Sequence, residues 1–365
     1  MIALGTVYLG YVNYYYQNFI IAPYTSFPEE VAKKLRKAVF YSTQDVNPRE
    51  AVKYYKQAIQ VADEIGMDPF SDEVMGIKIR VAELMEKIGQ LPRAASVLEQ
   101  IRDDNLKWLK VYEEQKMEMD KDTAMRKKRT RILAKTVGLS VKLGDHYANA
   151  QIWDRDMALE RLIWAVETVE LEKRRRQSVK ATDENDGPWI TTEEQAAALE
   201  ALAHGYEDKS QHYLATPLFL QALTLKEGTD CHSVVLMNNL ASSIAQQSPL
   251  AARRVAAALA ANDITAADAP VGPAATRQTM IENATLWAQK ALNVAANITP
   301  PVRDEECDMG CAVAMHNLGE FAEMLHDMDT AKSKYREAIS LSRAIGFEEG
   351  VENSSARLRA LTGAG

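Results

Sequence analysis

The chain has 365 residues, of which only 17 are Gly and 12 are Pro, so it holds little of the turn-forming material that a β-rich fold requires. Its apolar fraction of 47% and its charged fraction of 26% disfavour wholesale disorder and a polytopic membrane protein. The formal net charge of -8 disfavours general attraction to nucleic-acid phosphate. We therefore expect an all-α folded body and no nucleic-acid partner.

The first part of the chain is apolar and uncharged. No charged residue occurs from Met1 to Pro28, and a helix from Met1 to Ala22 would span about 33 Å, which is enough to cross a bilayer. The tyrosines between positions 8 and 16 suit the interface between lipid and water, and Pro23 would end the helix. This pattern predicts an N-terminal transmembrane anchor within residues 1–27. The alternative is a packing helix of the folded body.

A basic cluster follows the apolar segment. It consists of Lys33, Lys34, Arg36 and Lys37. Positive charge beside a transmembrane helix sets its orientation, and basic side chains also rest on anionic lipid headgroups. We therefore expect this cluster to lie close to the membrane.

A helix-turn-helix pattern recurs in residues 28–365. A small residue on the first helix precedes an alanine on the second, and a large residue and a small one follow that alanine. The clearest copies carry Leu318, Gly319 and Ala322 with Ala331, Tyr335 and Ala338; Leu202, Ala203 and Tyr206 with Ala215, Phe219 and Ala222; and Val81, Ala82, Met85 and Gly89 with Ala94, Leu98 and Ile101. Looser copies carry Val39 with Ala51, Tyr55 and Ala58; Leu143, Gly144 and Tyr147 with Ala158, Leu162 and Ala165; and Leu240 and Ala241 with Ala284, Trp287 and Ala291.

This pattern resembles the tetratricopeptide repeat (TPR). Small residues at both contact positions let two antiparallel helices approach closely, and the bulky residue fills the gap to the next pair. We therefore predict a right-handed TPR solenoid of about six helix pairs. The segment 347–361 is expected to form a C-terminal capping helix.

Two insertions separate the repeats. The segment near 177–189 is polar and rich in turn residues, and the segment near 246–278 is rich in Ala and interrupted by Pro. Both are expected to loop away from the stacked helices. The basic runs Arg126 to Arg131 and Lys173 to Arg176 are interpreted as solvated helix faces, and the alternative is that they bind a partner.

The cysteines are too few for a disulfide scaffold. Cys307 and Cys311 are four residues apart, so a helix would place them on one face, where they could form a disulfide or half of a metal site. No further Cys pair or His cluster supplies the missing zinc ligands. We interpret these cysteines as buried small residues and expect no metal or other cofactor.

Motifs for catalysis are missing from the sequence. Patterns typical of phosphate-binding loops, zinc proteases and serine hydrolases do not occur, and the six histidines are scattered without partners at ligand spacing. We therefore expect a protein that is not an enzyme.

The TPR pattern also predicts a binding groove, because solenoids of this type commonly bind extended segments along the face formed by their first helices. Counted from the matched leucines, that face is expected to present Asp145, Glu200, His204, Glu207, Asn238, Ser242, His316, Glu320 and Glu323. Its acidic character predicts a preference for neutral or basic unfolded segments over acidic tails. The alternative is that these are ordinary solvated positions.

The segment from Pro23 to Ala38, together with Ala51 to Ile65 and Gly66 to Glu73, resembles one fungal family in particular. That family is the mitochondrial inner-membrane TPR adaptor subunit of the i-AAA protease. The resemblance implies an anchor in the inner membrane and a soluble body in the intermembrane space. It also implies three kinds of partner: the i-AAA protease, a co-adaptor subunit, and unfolded or unassembled membrane proteins that are delivered for degradation. The alternative function is a TPR peptide-binding receptor or co-chaperone scaffold on another membrane or in the cytosol.

Overall fold

A computed structural model describes residues 24–226, 229–250 and 276–363, and in these ranges the secondary structure is helical throughout, with no strand. The helices are α1 (Glu29–Thr43), α2 (Pro48–Glu64), α3 (Asp72–Lys87), α4 (Leu91–Glu114), α5 (Lys116–Met119), α6 (Thr123–Ala148), α7 (Arg155–Val179), α8 (Asp183–Asp186), α9 (Thr192–Asp208), α10 (His212–Leu225), α11 (Cys231–Gln246), α12 (Arg277–Asn297), α13 (Glu305–Met324), α14 (Met328–Ala344) and α15 (Glu348–Thr362). The predicted all-α fold class is confirmed.

The predicted anchor in residues 1–27 lies almost entirely outside the described residues. Within the ranges that are described, no helix combines the length and the apolar character needed to cross a bilayer. The anchor therefore stays a prediction.

The described residues fall into two compact units. The first contains the residues up to Asp154 together with Arg174–Trp189, and the second contains Arg155–Lys173 and the residues from Ile190 onward. In the first unit α1 pairs with α2 and α3 with α4; in the second, α9 pairs with α10, α11 with α12 and α13 with α14, while α15 packs on α14. The predicted capping helix is therefore present as α15.

Small residues hold the paired helices together as the repeat pattern predicts. All six second-helix alanines are buried, namely Ala51, Ala94, Ala158, Ala215, Ala284 and Ala331. The contact between α13 and α14 involves a glycine of the repeat pattern. A Cβ atom placed on Gly319 would lie 2.8 Å from Cε1 of Tyr335, which is closer than such atoms approach, so the aromatic ring requires glycine opposite it.

The turns inside three pairs share one backbone feature. Gly89, Ser210 and His326 each follow the first helix of a pair with a left-handed backbone, at φ values of 71°, 58° and 65°. Glycine adopts this conformation freely, whereas Ser and His do so uncommonly. The left-handed turn conformation is therefore present at Ser210 and His326 as well, although the sequence has no glycine there to indicate it.

The first helices of the second unit begin at side-chain caps. The Thr191 hydroxyl accepts a hydrogen bond from the Glu194 amide at 3.1 Å, and the Thr191 amide donates to the Glu194 carboxylate at 2.7 Å. Asp230 and Asp304 accept hydrogen bonds from first-turn amides of α11 and α13. These caps fix where α9, α11 and α13 start, and so which of their residues share a face.

The insertion near 177–189 does not loop away from the helices as predicted. Asp186 is buried and lies 3.7 Å from Nε of Arg126 and 3.9 Å from Nη2 of Arg175. A Cβ atom on Gly187 would come within 3.4 Å of the backbone of Lys127. These contacts hold the insertion against α6, because a buried carboxylate needs cationic partners. The central part of the other insertion, residues 251–275, lies outside the described residues.

The basic run Arg126 to Arg131 is also more than a solvated face. The Lys128 ammonium lies 2.7 Å from Oδ2 of Asp68 and sits over the rings of Phe70 and Trp108, at 5.6 and 5.3 Å from their centroids. An ion pair combined with cation–π contacts ties α6 to α4 and to the turn before α3. The interpretation of this run as simply solvated is therefore wrong.

The predicted membrane-proximal cluster lies on α1. Lys33 is exposed, whereas the Lys34 ammonium donates to Oε1 of Gln57 at 3.0 Å and Lys37 lies 5.3 Å from the centroid of the Tyr54 ring. Arg36 forms an ion pair with a first-turn carboxylate of α1. Two of the four cations thus contact α2, and their proximity to a membrane remains a prediction.

Candidate protein-interaction site

The residues predicted to line the groove lie on α6, α9, α11 and α13, and all but Asn238 are at least partly exposed. Asp145 is exposed on α6 in the first unit. The second unit places Glu200, His204 and Glu207 on α9, Ser242 on α11, and His316, Glu320 and Glu323 on α13. The prediction that Asn238 lines the groove is wrong. Asn238 is 2% exposed, and its Nδ2 donates a hydrogen bond to the Gly310 carbonyl at 2.8 Å. It therefore packs α11 against α13 and does not line a surface.

Three helices of the second unit meet at one histidine. Nε2 of His232 lies 2.8 Å from Oε2 of Glu200 on α9, and Nδ1 of the same ring lies 2.8 Å from Oε1 of Glu306 on α13. Asn239, two turns along α11, donates from Nδ2 to Oε1 of Glu200 at 3.3 Å. His232 is thus bound by a carboxylate on each side, and both oxygens of Glu200 are engaged.

A second histidine extends this arrangement along α9. Nε2 of His204 lies 3.8 Å from Oε1 of Glu200, and its Nδ1 lies 3.2 Å from Oε2 of Glu207. Its ring also meets the buried ring of Phe219 edge-on, at 5.0 Å between centroids. We call Glu200, His204, Glu207, His232, Asn239 and Glu306 the His232 network.

The alternation of carboxylates and imidazoles shifts their proton affinities. Hydrogen bonds that the His232 ring donates to Glu200 and to Glu306 raise the pKa of His232 to about 9, against the opposing effect of burial. Burial lowers the pKa of His204, but hydrogen bonds to Glu200 and Glu207 outweigh it and raise that pKa to about 9. Burial likewise raises the pKa of Glu200, yet its two histidine partners bring it down to about 2. At neutral pH both rings are therefore cationic and Glu200 is anionic.

These shifts predict how the stability of the second unit depends on pH. A histidine whose pKa is raised from about 6.5 to about 9 stabilises the folded state fully below pH 6.5, and this contribution is lost as the pH rises through 9. The lowered pKa of Glu200 adds stability above about pH 4.5 that is lost as the pH falls toward 2. We therefore expect the urea midpoint to fall between pH 6.5 and pH 9.

The His204→Gln/His232→Gln double variant tests this expectation. Its urea midpoint should change less between pH 6.5 and pH 9 than that of the parent chain. His326→Asn is the matched control, because His326 is exposed in the turn after α13 and asparagine tolerates its left-handed backbone. An equally steep pH dependence in the double variant would contradict the assignment.

A separate group of charges surrounds the end of α13. Nη2 of Arg357 on α15 lies 2.8 Å from Oε1 of Glu323, and its Nε lies 4.0 Å from Oε1 of Glu320. Nδ1 of His316 lies 2.9 Å from the hydroxyl of the buried Ser354. A hydrogen bond to His316 lowers the pKa of Glu320, so this carboxylate stays ionised. The capping helix thus places a cation beside two predicted groove carboxylates.

Several members of these arrangements escaped the sequence interpretation. His232, Glu306 and Arg357 were not among the predicted groove residues, although helical periodicity relates Glu306 to one that was. Glu306 is fourteen residues before Glu320, so the two share a helix face. Arg357 carried no comparable signal, because it contacts the surface from the capping helix.

The cysteines are arranged differently from the expectation of buried small residues. Cys231 and Cys307 form a disulfide that joins the first turns of α11 and α13, with Cα atoms 4.5 Å apart, and both residues are buried. Cys311 is the free thiol. The pairing considered for Cys307 and Cys311 within one helix is therefore wrong, because the partner comes from the neighbouring helix pair, 76 residues away.

The same corner holds one cluster of potential metal ligands in the described part of the chain. Ligand atoms of Cys231, Asp304 and Cys307 lie within 4.8 Å of one another. Both sulfurs belong to the disulfide, and a metal binds thiolates. Asp304 also caps α13 through the amides of Glu306 and Cys307. We therefore assign this corner to covalent cross-linking.

Comparison with known proteins agrees with the paired helices. A protein of Schizosaccharomyces pombe described as TPR repeat-containing is 26% identical over 328 residues, which cover 89% of this chain and 76% of that protein. The paired helices and this relative support a TPR protein. Protein MRG3-like of Saccharomyces cerevisiae is 32% identical over 103 residues, which cover 28% of this chain and 21% of that protein. No family model matches the chain.

Solved structures give weaker likenesses. BtubC from P. vanneervenii superposes with a TM-score of 0.44 at 15% identity, covering 87% of this chain and 91% of that one. A putative kinesin light chain with TPR-like repeats from Podosopora anserina has a TM-score of 0.36 at 17% identity, covering 65% and 99% respectively. The support for a TPR protein comes from the helix pairs and the Schizosaccharomyces pombe relative, and does not depend on these superpositions.

Proposed function

We propose that this TPR protein is a non-enzymatic adaptor that binds unfolded or unassembled mitochondrial membrane proteins and presents them to the i-AAA protease. The adaptor role is supported by a resemblance to the adaptor family, which lies in residues 23–38, 51–65 and 66–73. The more general role of a protein-interaction scaffold is supported by the paired helices. A body in the intermembrane space, reached through an anchor in residues 1–27, completes the proposal.

The observation that carries the binding role is the charged surface of α9, α11 and α13. The first-helix surface consists of the His232 network with Ser242, His316, Glu320 and Glu323. Carboxylates outnumber cations on it, even with His204 and His232 protonated and Arg357 alongside. Glu306 keeps 42% of its side chain exposed, and Glu207 keeps 21%. Such a surface attracts basic segments, tolerates neutral ones and repels acidic tails.

Charge removal tests this surface. The Glu200→Gln/Glu207→Gln/Glu320→Gln variant is expected to bind a basic, unfolded model peptide about tenfold more weakly, because it removes three negative charges and each ion pair with the peptide would contribute up to about 1 kcal/mol. Fluorescence anisotropy at low and at physiological salt measures the affinity, and circular dichroism checks the helicity.

The matched control removes three exposed carboxylates of the same unit elsewhere, in the Glu193→Gln/Glu282→Gln/Glu349→Gln variant. It should bind the peptide like the parent apart from a small loss of long-range attraction. Parent-like affinity of the first triple variant, or a parental preference for an acidic C-terminal tail, would refute the proposed surface.

The adaptor role requires a direct partner. Crosslinking of the full chain in mitochondrial membranes, followed by mass spectrometry, is expected to recover the i-AAA protease and a co-adaptor subunit. Recovery of cytosolic chaperones without the protease would instead support the receptor or co-chaperone function.

The anchor has its own test. Alkaline carbonate should leave the full chain in the membrane pellet and release a chain that begins at Phe27, because only the former carries the uncharged segment. Equal release of the two chains would exclude an anchor in residues 1–27, while leaving the peptide-binding surface untouched.

A further inference from the structure

A second groove lies at the C-terminal end of the second unit, between α14 and α15. Its volume is about 730 Å³, which is in the range of ligand-binding clefts. Three arginines, Arg336, Arg343 and Arg359, are among its lining residues, and Ile339 and Leu358 supply apolar surface. Because the α14 residues recur at intervals of three and four, they form one stripe along that helix.

The charge of this groove is opposite to that of the chain. None of its lining residues is acidic, although the whole protein carries a formal net charge of -8. All three arginines are exposed, and among the described residues no carboxylate lies within ion-pair distance of their guanidinium groups. Arg357, on the same helix as Arg359, shows the contrast, because it is paired with Glu323.

The floor of the groove is apolar. Ile339 is only 8% exposed, and Leu358 is half-buried beside it. Solvation alone would favour cations spread over the surface, whereas here three of them surround one apolar cleft. A guanidinium group binds a carboxylate through two parallel hydrogen bonds, and its weak hydration favours such pairing at interfaces.

We propose that this groove binds an acidic amphipathic segment of another polypeptide. Arg336 and Arg343 are seven residues apart, about 10.5 Å along α14. A matching helix would carry carboxylates seven positions apart with Leu-like residues between them, so that its carboxylates meet the arginines and its apolar side chains cover Ile339 and Leu358. This site is distinct from the first-helix surface and does not depend on the adaptor role.

The shape and composition of the cleft select a peptide as its occupant. Of the groove's lining residues none is aromatic, so it offers no stacking platform for nucleic-acid bases. Its apolar floor lies between two helices, which suits an inserted side chain better than a flat layer of lipid headgroups. Paired helices receiving an amphipathic segment are a recurrent mode of peptide recognition.

The test uses the full chain and a fluorescent peptide with Glu at every seventh position and Leu between, compared with the same peptide carrying Gln in place of Glu. The parent should bind the acidic peptide, with an affinity that weakens as salt rises. The Arg336→Gln/Arg343→Gln variant should bind it at least about tenfold more weakly, since two charge-assisted pairs are lost. The control is Arg49→Gln/Arg93→Gln, which removes two exposed arginines of the first unit.

Three results would overturn the proposal: equal affinity of the Arg336→Gln/Arg343→Gln variant, equal binding of the Gln peptide, or loss of binding in the control. Capture by phosphatidylserine vesicles or by single-stranded DNA without binding of the peptide would also overturn it, in favour of a membrane or a nucleic acid. The carboxylate triple variant of the first-helix surface should retain the acidic peptide. The proposal for this groove and the proposal for the first-helix surface are therefore tested independently.

Discussion

Replacing Tyr335 by alanine is expected to destabilise the second unit by about 3–5 kcal/mol, the usual cost of truncating a large buried aromatic side chain. Tyr335 is fully buried, and its ring fills the space opposite Gly319, which has no side chain to close the cavity. The ring also lies 5.4 Å from that of His316, on the first-helix surface. Chemical denaturation measures the loss.

Tyr335→Phe separates packing from hydrogen bonding. The Tyr335 hydroxyl donates to Oε2 of Glu323 at 3.0 Å, and removing it is expected to cost about 1 kcal/mol. The phenylalanine variant should therefore retain most of the parental stability. If the alanine variant lost no more than the phenylalanine variant, the ring would not be filling the gap between α13 and α14 as the repeat pattern requires.

Removing the disulfide is expected to have a comparable effect. Cys231 and Cys307 are 76 residues apart, and a cross-link that closes a loop of this length stabilises a protein by roughly 4 kcal/mol in the chain-entropy description. The Cys231→Ser/Cys307→Ser variant should lose about 2–4 kcal/mol of unfolding free energy, measured by urea denaturation without reductant.

Reductant and Cys311 supply the controls. A phosphine reductant should lower the urea midpoint of the parent toward that of the double variant and leave the double variant unchanged. Cys311→Ser should behave like the parent in both conditions, because Cys311 is a free thiol. A parental midpoint that does not respond to complete reduction would show that the cross-link contributes nothing to stability.

The paired helices could be predicted because their signal is local. An alanine such as Ala215 or Ala331 stands at a fixed distance from the first helix and from the bulky residue after it, so one repeat contains its own evidence. Both alanines are fully buried. The looser copies of the repeat could be recognised for the same reason, even where an insertion separates their two helices.

The site was only partly predictable, because its contacts join residues from different helix pairs. His232 and Glu306 are 74 residues apart, and Cys231 and Cys307 are 76 apart. Spacing rules within a helix say nothing about such pairs, and for Cys307 the only disulfide partner they suggested was Cys311, which is not its partner. One-residue precision also matters: Asn238 points into the contact with α13, whereas Asn239 reaches Glu200.

The link between Cys231 and Cys307 also changes what a single cut in the backbone does. Hydrolysis of any peptide bond between these residues, including those of 251–275, yields two fragments that stay covalently joined. Such a nicked chain migrates as one species on a non-reducing gel and as two after reduction. For a protein proposed to work beside a protease, one cleavage between Cys231 and Cys307 would leave α11 and α13 tethered, and a piece would be freed only by a second cut or by loss of the sulfur bridge.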